Sequence, residues 1–199
     1  MALAHPPFSR GVWRPSLSGV LAMLMAACGA AASLILVPGM NGAIGAALAL
    51  LMASIAYVDA RSFTIPDELT VVGMALAVVQ AVSQDGDVFA SAVAHAALRG
   101  AVLVALFWLL RVIYRWLRGR DGLGFGDVKL AGVAGAWLSW MTIPLAIEVA
   151  ALSGIIVYAV RQYGLGRPLR FNNRLPFGAF FAPAIWLAWV FETVIVNRI

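Results

Sequence analysis

The sequence predicts an all-α fold, a polytopic membrane helix bundle of about seven transmembrane helices. Three observations carry that prediction. Of the 199 residues, 63% are hydrophobic and only 12% are charged, about half the charged share of a soluble domain, and the mean hydropathy is +0.93. Apolar stretches near the ~20 residues that cross a bilayer recur along the chain. Basic and non-basic loops, finally, alternate between those stretches. The length leaves no room for a large soluble domain, so residues 1–199 read as a single membrane-embedded unit.

Residues 1–16, with Arg10 and Arg14, read as a cytoplasmic N-terminal segment. The first span runs from Leu17 to Val37, where Pro38-Gly39-Met40-Asn41-Gly42 supplies turn chemistry. Met25-Ala26-Ala27-Cys28 loosely resembles a cleavage site, but the apolar stretch continues past it to Val37, which suits a retained span. The second span covers Gly42 to Val58 and ends at Asp59. The third covers Leu69 to Ser83 and stops at Gln84-Asp85-Gly86-Asp87. The fourth, Val88 to Leu110, leads into an arginine-rich loop. The fifth, Val128 to Trp140, is short and rich in glycine and alanine. The sixth covers Ile143 to Val160, and the seventh Phe177 to Val196.

The second loop carries Arg61, the fourth Arg111, Arg115, Arg118, Arg120 and Lys129, and the sixth Arg161, Arg167, Arg170 and Arg174. The odd-numbered loops carry no basic residue. By the positive-inside rule the N-terminus and the even loops are cytoplasmic. The net charge of +5 is thus explained by topology, and no nucleic-acid partner is implied. Cys28 is the only cysteine and cannot form an internal disulfide or a Cys-rich zinc site. His5 and His95 lack metal-ligand spacing, and no phosphate loop, nucleophile–His pair or cofactor fingerprint is present. No metal and no cofactor is expected.

Ionisable groups at membrane depth are costly, so they mark candidate chemistry. Two segments stand out, Tyr57-Val58-Asp59-Ala60-Arg61 with Ile65-Pro66-Asp67, and Gly124-Phe125-Gly126-Asp127-Val128-Lys129. The topology puts Asp59 and Asp127 at one cytoplasmic edge. Two close carboxylates do not ionise together easily, so one keeps a proton while the other is a base. Such a pair can activate water and protonate an amide carbonyl. Gly124 and Gly126 would let an extended substrate backbone approach the carboxylate. Taken singly, either aspartate reads first as a helix cap; the two segments together on one face are harder to read that way.

These two segments, with Leu175-Pro176-Phe177-Gly178 before the last span, resemble the type IV prepilin peptidase family, Gly-x-Gly-Asp membrane aspartic proteases. The resemblance covers about Leu48 to Pro183. It implies that Asp59 and Asp127 are the catalytic pair, with Arg61, Pro66, Asp67, Gly124, Gly126 and Lys129 in supporting or substrate-binding positions. It also implies prepilin or pseudopilin precursors as substrates, cut after a glycine at the cytoplasmic face of the inner membrane. Larger members carry two Cys-x-x-Cys pairs that bind zinc, associated with N-methylation. With one cysteine the chain resembles the minimal members that serve tight-adherence pili, and no methyltransferase activity is expected.

Arg61 and Lys129 read equally as groups that tune the pair and as boundary residues that snorkel to headgroups. Asp67, after Pro66, suits a helix N-terminus. Arg99 in span four is expected to pair with Glu148 in span six. The arginines from Arg111 to Arg120 suggest a basic helical extension of span four, serving topology and lipid anchoring. Two other classes fit the composition, a small ion-coupled transporter and a non-catalytic pilus or secretion assembly partner. A transporter moves solute without proteolysis. A scaffold tolerates neutralising either aspartate.

Overall fold

The computed structural model describes residues 17–83, 89–120, 122–164 and 176–195. Arg10, Arg14, Asp85, Asp87, Arg167, Arg170, Arg174, Leu175 and Arg198 lie outside them. Every element among the described residues is helical, as the sequence predicts: α1 (Leu17–Leu36), α2 (Met40–Ser62), α3 (Asp67–Val82), α4 (Phe89–Arg118), α5 (Phe125–Trp137), α6 (Thr142–Ala159) and α7 (Phe177–Val194). A π-helical turn, Val160–Gly164, continues α6. Five of the seven, α1, α2, α4, α6 and α7, are long and apolar enough to cross a bilayer. With 16 and 13 residues, α3 and α5 reach only about 24 and 20 Å, short of the ~30 Å hydrocarbon layer.

Helix ends depart from the apolar runs where local chemistry extends them. The Ser62 hydroxyl donates to the Val58 carbonyl, and Phe63 in the left-handed region (φ 54°) caps α2 by donating its N–H to Asp59 O at 2.9 Å. Asp59 therefore sits inside α2 rather than at its end. Gly124 in extended conformation starts α5 at Phe125, so Asp127 lies in its first turn. α4 runs on through the arginines to Arg118.

α1 packs on α2, α2 and α6 on α7, and α4 on α5, while α5 also touches α3 and α7. The short α5 is the buried centre: Leu130, Ala131 and Val133 have no exposed surface. Its glycines allow that position. A methyl group on Gly132 would meet Val104 Cγ2 at 2.8 Å, and one on Gly135 would meet the Arg99 backbone carbonyl carbon at 2.7 Å. α4 and α5 thus approach backbone to backbone, as small residues allow in membranes. The Trp137 indole N–H donates to the Gly73 carbonyl at 2.9 Å and ties α5 to α3.

The expected Arg99–Glu148 pair is not formed. Glu148 lies on the exposed face of α6. Arg99 Nε instead donates to the Gly135 carbonyl at 3.1 Å, and the carboxylate acting on its charge is Glu192 of α7. Glu192 in turn accepts the Ser139 N–H at 3.0 Å and the Thr142 hydroxyl, closing the turn between α5 and α6. Helical spacing placed Arg99 and Glu148 in the bilayer but could not tell which faces they share. At the other end of the bundle converge the C-termini of α2 and α4 and the N-termini of α3, α5 and α7.

Candidate active site

At that end Asp59 and Asp127 are buried, 5% and 8% exposed, and both line one open cavity of about 300 Å³. Phe63, Arg111, Gly122, Leu123, Gly124, Phe125, Pro176 and Phe177 complete its wall. Asp127 accepts the Gly124 N–H at 3.1 Å, in the manner of a helix capping box. Asp59 accepts the Ala179 N–H at 2.8 Å. The Gly178 N–H faces both carboxylates. The N-terminus of α7 therefore presents backbone donors, at the positive end of its dipole, to a pair of acids from α2 and α5.

Gly178 can do this because it is bare. A methyl group there would stand 2.9 Å from Asp59 Oδ2. Asp127, outside the five bilayer-crossing helices, has its pKa pushed up to about 6. Burial is the main cause and the neighbouring Asp59 charge the second; the Gly124 and Gly178 N–H groups and the Arg111 charge pull the other way.

The other sequence candidates divide. Gly124 lines the cavity and caps Asp127. Gly126 faces Ile65 instead, since a methyl group there would lie 3.0 Å from Ile65 Cβ, so its bareness serves packing rather than the approach of a substrate backbone. Pro66, with φ −59°, occupies the N-cap of α3. Asp67, in the first turn, forms an ion pair with Lys129. Lys129 Nζ also donates to the Ile65 carbonyl at 3.4 Å and lies 5.6 Å from the Phe125 ring centroid. Lys129 thus ties α5 to the α2–α3 connection. Arg61 turns back along its own helix, donating to the Tyr57 hydroxyl at 2.5 Å over that ring, away from the carboxylates.

Two contributions were missed from sequence. The α7 amides of Gly178 and Ala179 carry no side-chain signal beyond a helix-start pattern. Arg111, expected to be a lipid anchor, lines the cavity with its guanidinium 5.7 Å from the Phe125 ring centroid. Among the described residues no group of three His, Cys, Asp or Glu side chains gathers as metal ligands.

The Lys129–Asp67 pair is half-buried at Lys129 but open to water at Asp67, which is 77% exposed, and pairs open to solvent contribute up to about 1 kcal/mol. Lys129→Met is therefore expected to lower the thermal midpoint by only a few degrees, read by scanning fluorimetry, and high salt should erase most of the difference.

Comparison with known proteins points one way. The family model described as the type IV leader peptidase family matches residues 46–159, which contain both aspartates but not α7. A prepilin leader peptidase/N-methyltransferase from Pectobacterium carotovorum is 33% identical over 162 residues, covering 76% of this chain and 54% of that protein. Its namesake in Aeromonas salmonicida is 28% identical over 174 residues, 83% of this chain and 55% of the relative. That in Pseudomonas aeruginosa is 37% identical over 101 residues, 46% and 31%. The chain thus spans about half the length of the Pectobacterium and Aeromonas relatives. No solved structure matches it.

Proposed function

Because the chain belongs to the type IV leader peptidase family, we propose that it is a membrane aspartic endopeptidase that removes the short basic leader of prepilin or pseudopilin precursors. The observation that carries this reading is the burial of Asp59 and Asp127 in one open cavity, each accepting a backbone N–H from a helix start. One carboxylate takes a proton from water as the water oxygen attacks the scissile carbonyl carbon. The protonated partner gives its proton to the carbonyl oxygen. As the tetrahedral carbon collapses and the C–N bond breaks, the newly protonated carboxyl delivers its proton to the leaving nitrogen, and the partner carboxylate takes a proton back from a hydroxyl of the gem-diol as the carbonyl re-forms. The two acids titrate as a pair, so neither role is fixed to one residue.

Arg111, Arg115, Arg118 and Arg120 flank this end of the bundle, which supports a cytoplasmic position for the site in the inner membrane. The cut would fall after a glycine, just before the precursor's hydrophobic helix. The reading takes only the peptidase half of the relatives' names. The cysteine pairs that the resemblance links to N-methylation have no counterpart in these 199 residues, which hold Cys28 alone.

The test is incubation of purified protein in lipid with a prepilin-type precursor, with and without chelator, and sequencing of the product's N-terminus. Cleavage after the leader glycine, unaffected by chelator, is expected. Cleavage abolished by chelator would remove the metal-free mechanism, and solute transport without cleavage would favour the carrier reading.

Proton sharing also sets a pH dependence. The active pair holds one proton. Asp127 is raised to about 6, so the pair loses that proton as pH rises through this value. The kcat/KM profile, which reports the free enzyme, is expected to fall above about pH 6. A profile flat from pH 5 to 8 would contradict the shared proton.

A further inference from the structure

Between the bare starts of α5 and α7 lies one side chain, Ile65, only 5% exposed. Its two ends meet the two glycines beside the carboxylates. A methyl group on Gly126 would be 3.0 Å from Ile65 Cβ and 3.1 Å from its Cγ1; one on Gly178 would be 2.8 Å from its Cδ1. Gly126 precedes Asp127 in the chain, and Gly178 carries the N–H that faces both acids. Ile65 belongs to the short connection that follows Asp59 out of α2. All three helix ends that bring acids or donors to the site therefore close on this residue.

The wedge is itself held. Pro66 after it restricts Ile65 to extended backbone, and Lys129 of α5 grips the connection on both sides of that proline, through the Ile65 carbonyl and the Asp67 carboxylate. Cores are close-packed, so a side chain with helix backbone at each end fixes their separation.

We propose that Ile65 is a positioning residue for the carboxylate pair, a spacer that sets how the starts of α5 and α7 approach and hence how Asp59 and Asp127 stand to each other. The inference rests on the catalytic reading of the pair. Ile65→Val removes the Cδ1 that reaches Gly178 and keeps the contact with Gly126. Ile65→Ala removes Cδ1 and also the Cγ1 that meets Gly126, leaving only Cβ and the backbone against that glycine.

Misplacement by about 1 Å can cost a hundredfold in rate. Ile65→Val is accordingly expected to lower kcat about tenfold and Ile65→Ala about a hundredfold, with KM within about twofold. Both variants should move the high-pH limb to lower pH, because the vacated space admits water and burial is the main cause of the raised Asp127 value. Leu48→Ala, fully buried in α2 away from the helix ends, serves as control and should lower the thermal midpoint with the limb unmoved.

Infrared titration of the aspartate carboxyl stretch in substrate-free protein gives the same reading without activity. A shift to lower pH in Ile65→Ala supports the spacer even if the wild type cleaves no precursor, a result that would overturn the peptidase reading alone. An unmoved titration in a folded Ile65→Ala variant overturns the spacer, as does loss of activity only in proportion to loss of folded protein.

Discussion

Asp127→Asn is expected to lower cleavage more than about 10³-fold and yet to unfold at a higher temperature than wild type above pH 6. The two effects share one cause. Asp127 is 8% exposed and lies beside Asp59, so the folded protein favours its neutral form, moving the pKa from 3.8 to about 6. For a folded-state pKa raised in this way, the stability contribution is complete below the unfolded value and is lost as pH rises through 6. The full loss is of the order of 3 kcal/mol.

Asparagine has nearly the same shape, keeps an oxygen for the Gly124 N–H, and does not titrate. The variant should match wild type near pH 4 and exceed it at pH 8, read as thermal midpoints in one detergent at both values. A variant less stable at both would mean that Asp127 is not held against its charge. Cleavage that survives would remove it from the mechanism. Asp59→Asn should be equally inactive, since each acid needs the other's complementary proton state.

Gly178→Ala is expected to cost about a hundredfold in kcat through a single methyl group. That methyl would meet Asp59 Oδ2 at 2.9 Å, Asp59 Cγ at 3.1 Å and Ile65 Cδ1 at 2.8 Å. Relief requires the α7 start to withdraw, which takes the Gly178 and Ala179 donors from the acids. Gly154→Ala in α6 is the matched control, because its methyl would meet only the edge of the Phe180 ring, Cδ2 at 3.7 Å and Cε2 at 4.0 Å, ordinary contacts. Steady-state cleavage rates and thermal midpoints of both variants decide the matter. Equal rates for the two would show that the α7 amides play no part in the reaction.

The bundle was legible in the sequence because bilayer length and loop charge are one-dimensional signals. The two aspartates were legible because each breaks an apolar context. What escaped needed the third dimension. Arg111 has the same local sequence character as Arg115 and Arg118, and only the rotation of α4 brings it to the cavity wall. Arg99 was seen as an intramembrane charge, but its partners, the Gly135 carbonyl and Glu192, depend on which helices α5 and α7 adjoin. The donors on Asp59 are main-chain groups 120 residues away, and backbone amides leave no residue-type signature. Gly126 was read as an opening for substrate because it neighbours Asp127. The Ile65 side chain that fills that space is fixed by the αL turn at Phe63, which an apolar count does not register.

The 13-residue α5 has a consequence for the surrounding lipid. Its C-terminal end is anchored by Arg99 on the Gly135 carbonyl and by Glu192 on Ser139. At about 20 Å the helix is shorter than the ~30 Å hydrocarbon layer that the five longer helices can cross. A short central helix held among longer ones gives the bundle a hydrophobic length that differs around its circumference, a mismatch that a bilayer answers by local thinning. Hydrophobic mismatch thereby enters the energetics of turnover, at fractions of a kcal/mol per Å of thickness. Thermal midpoints and activity are thus expected to differ between thin and thick bilayers.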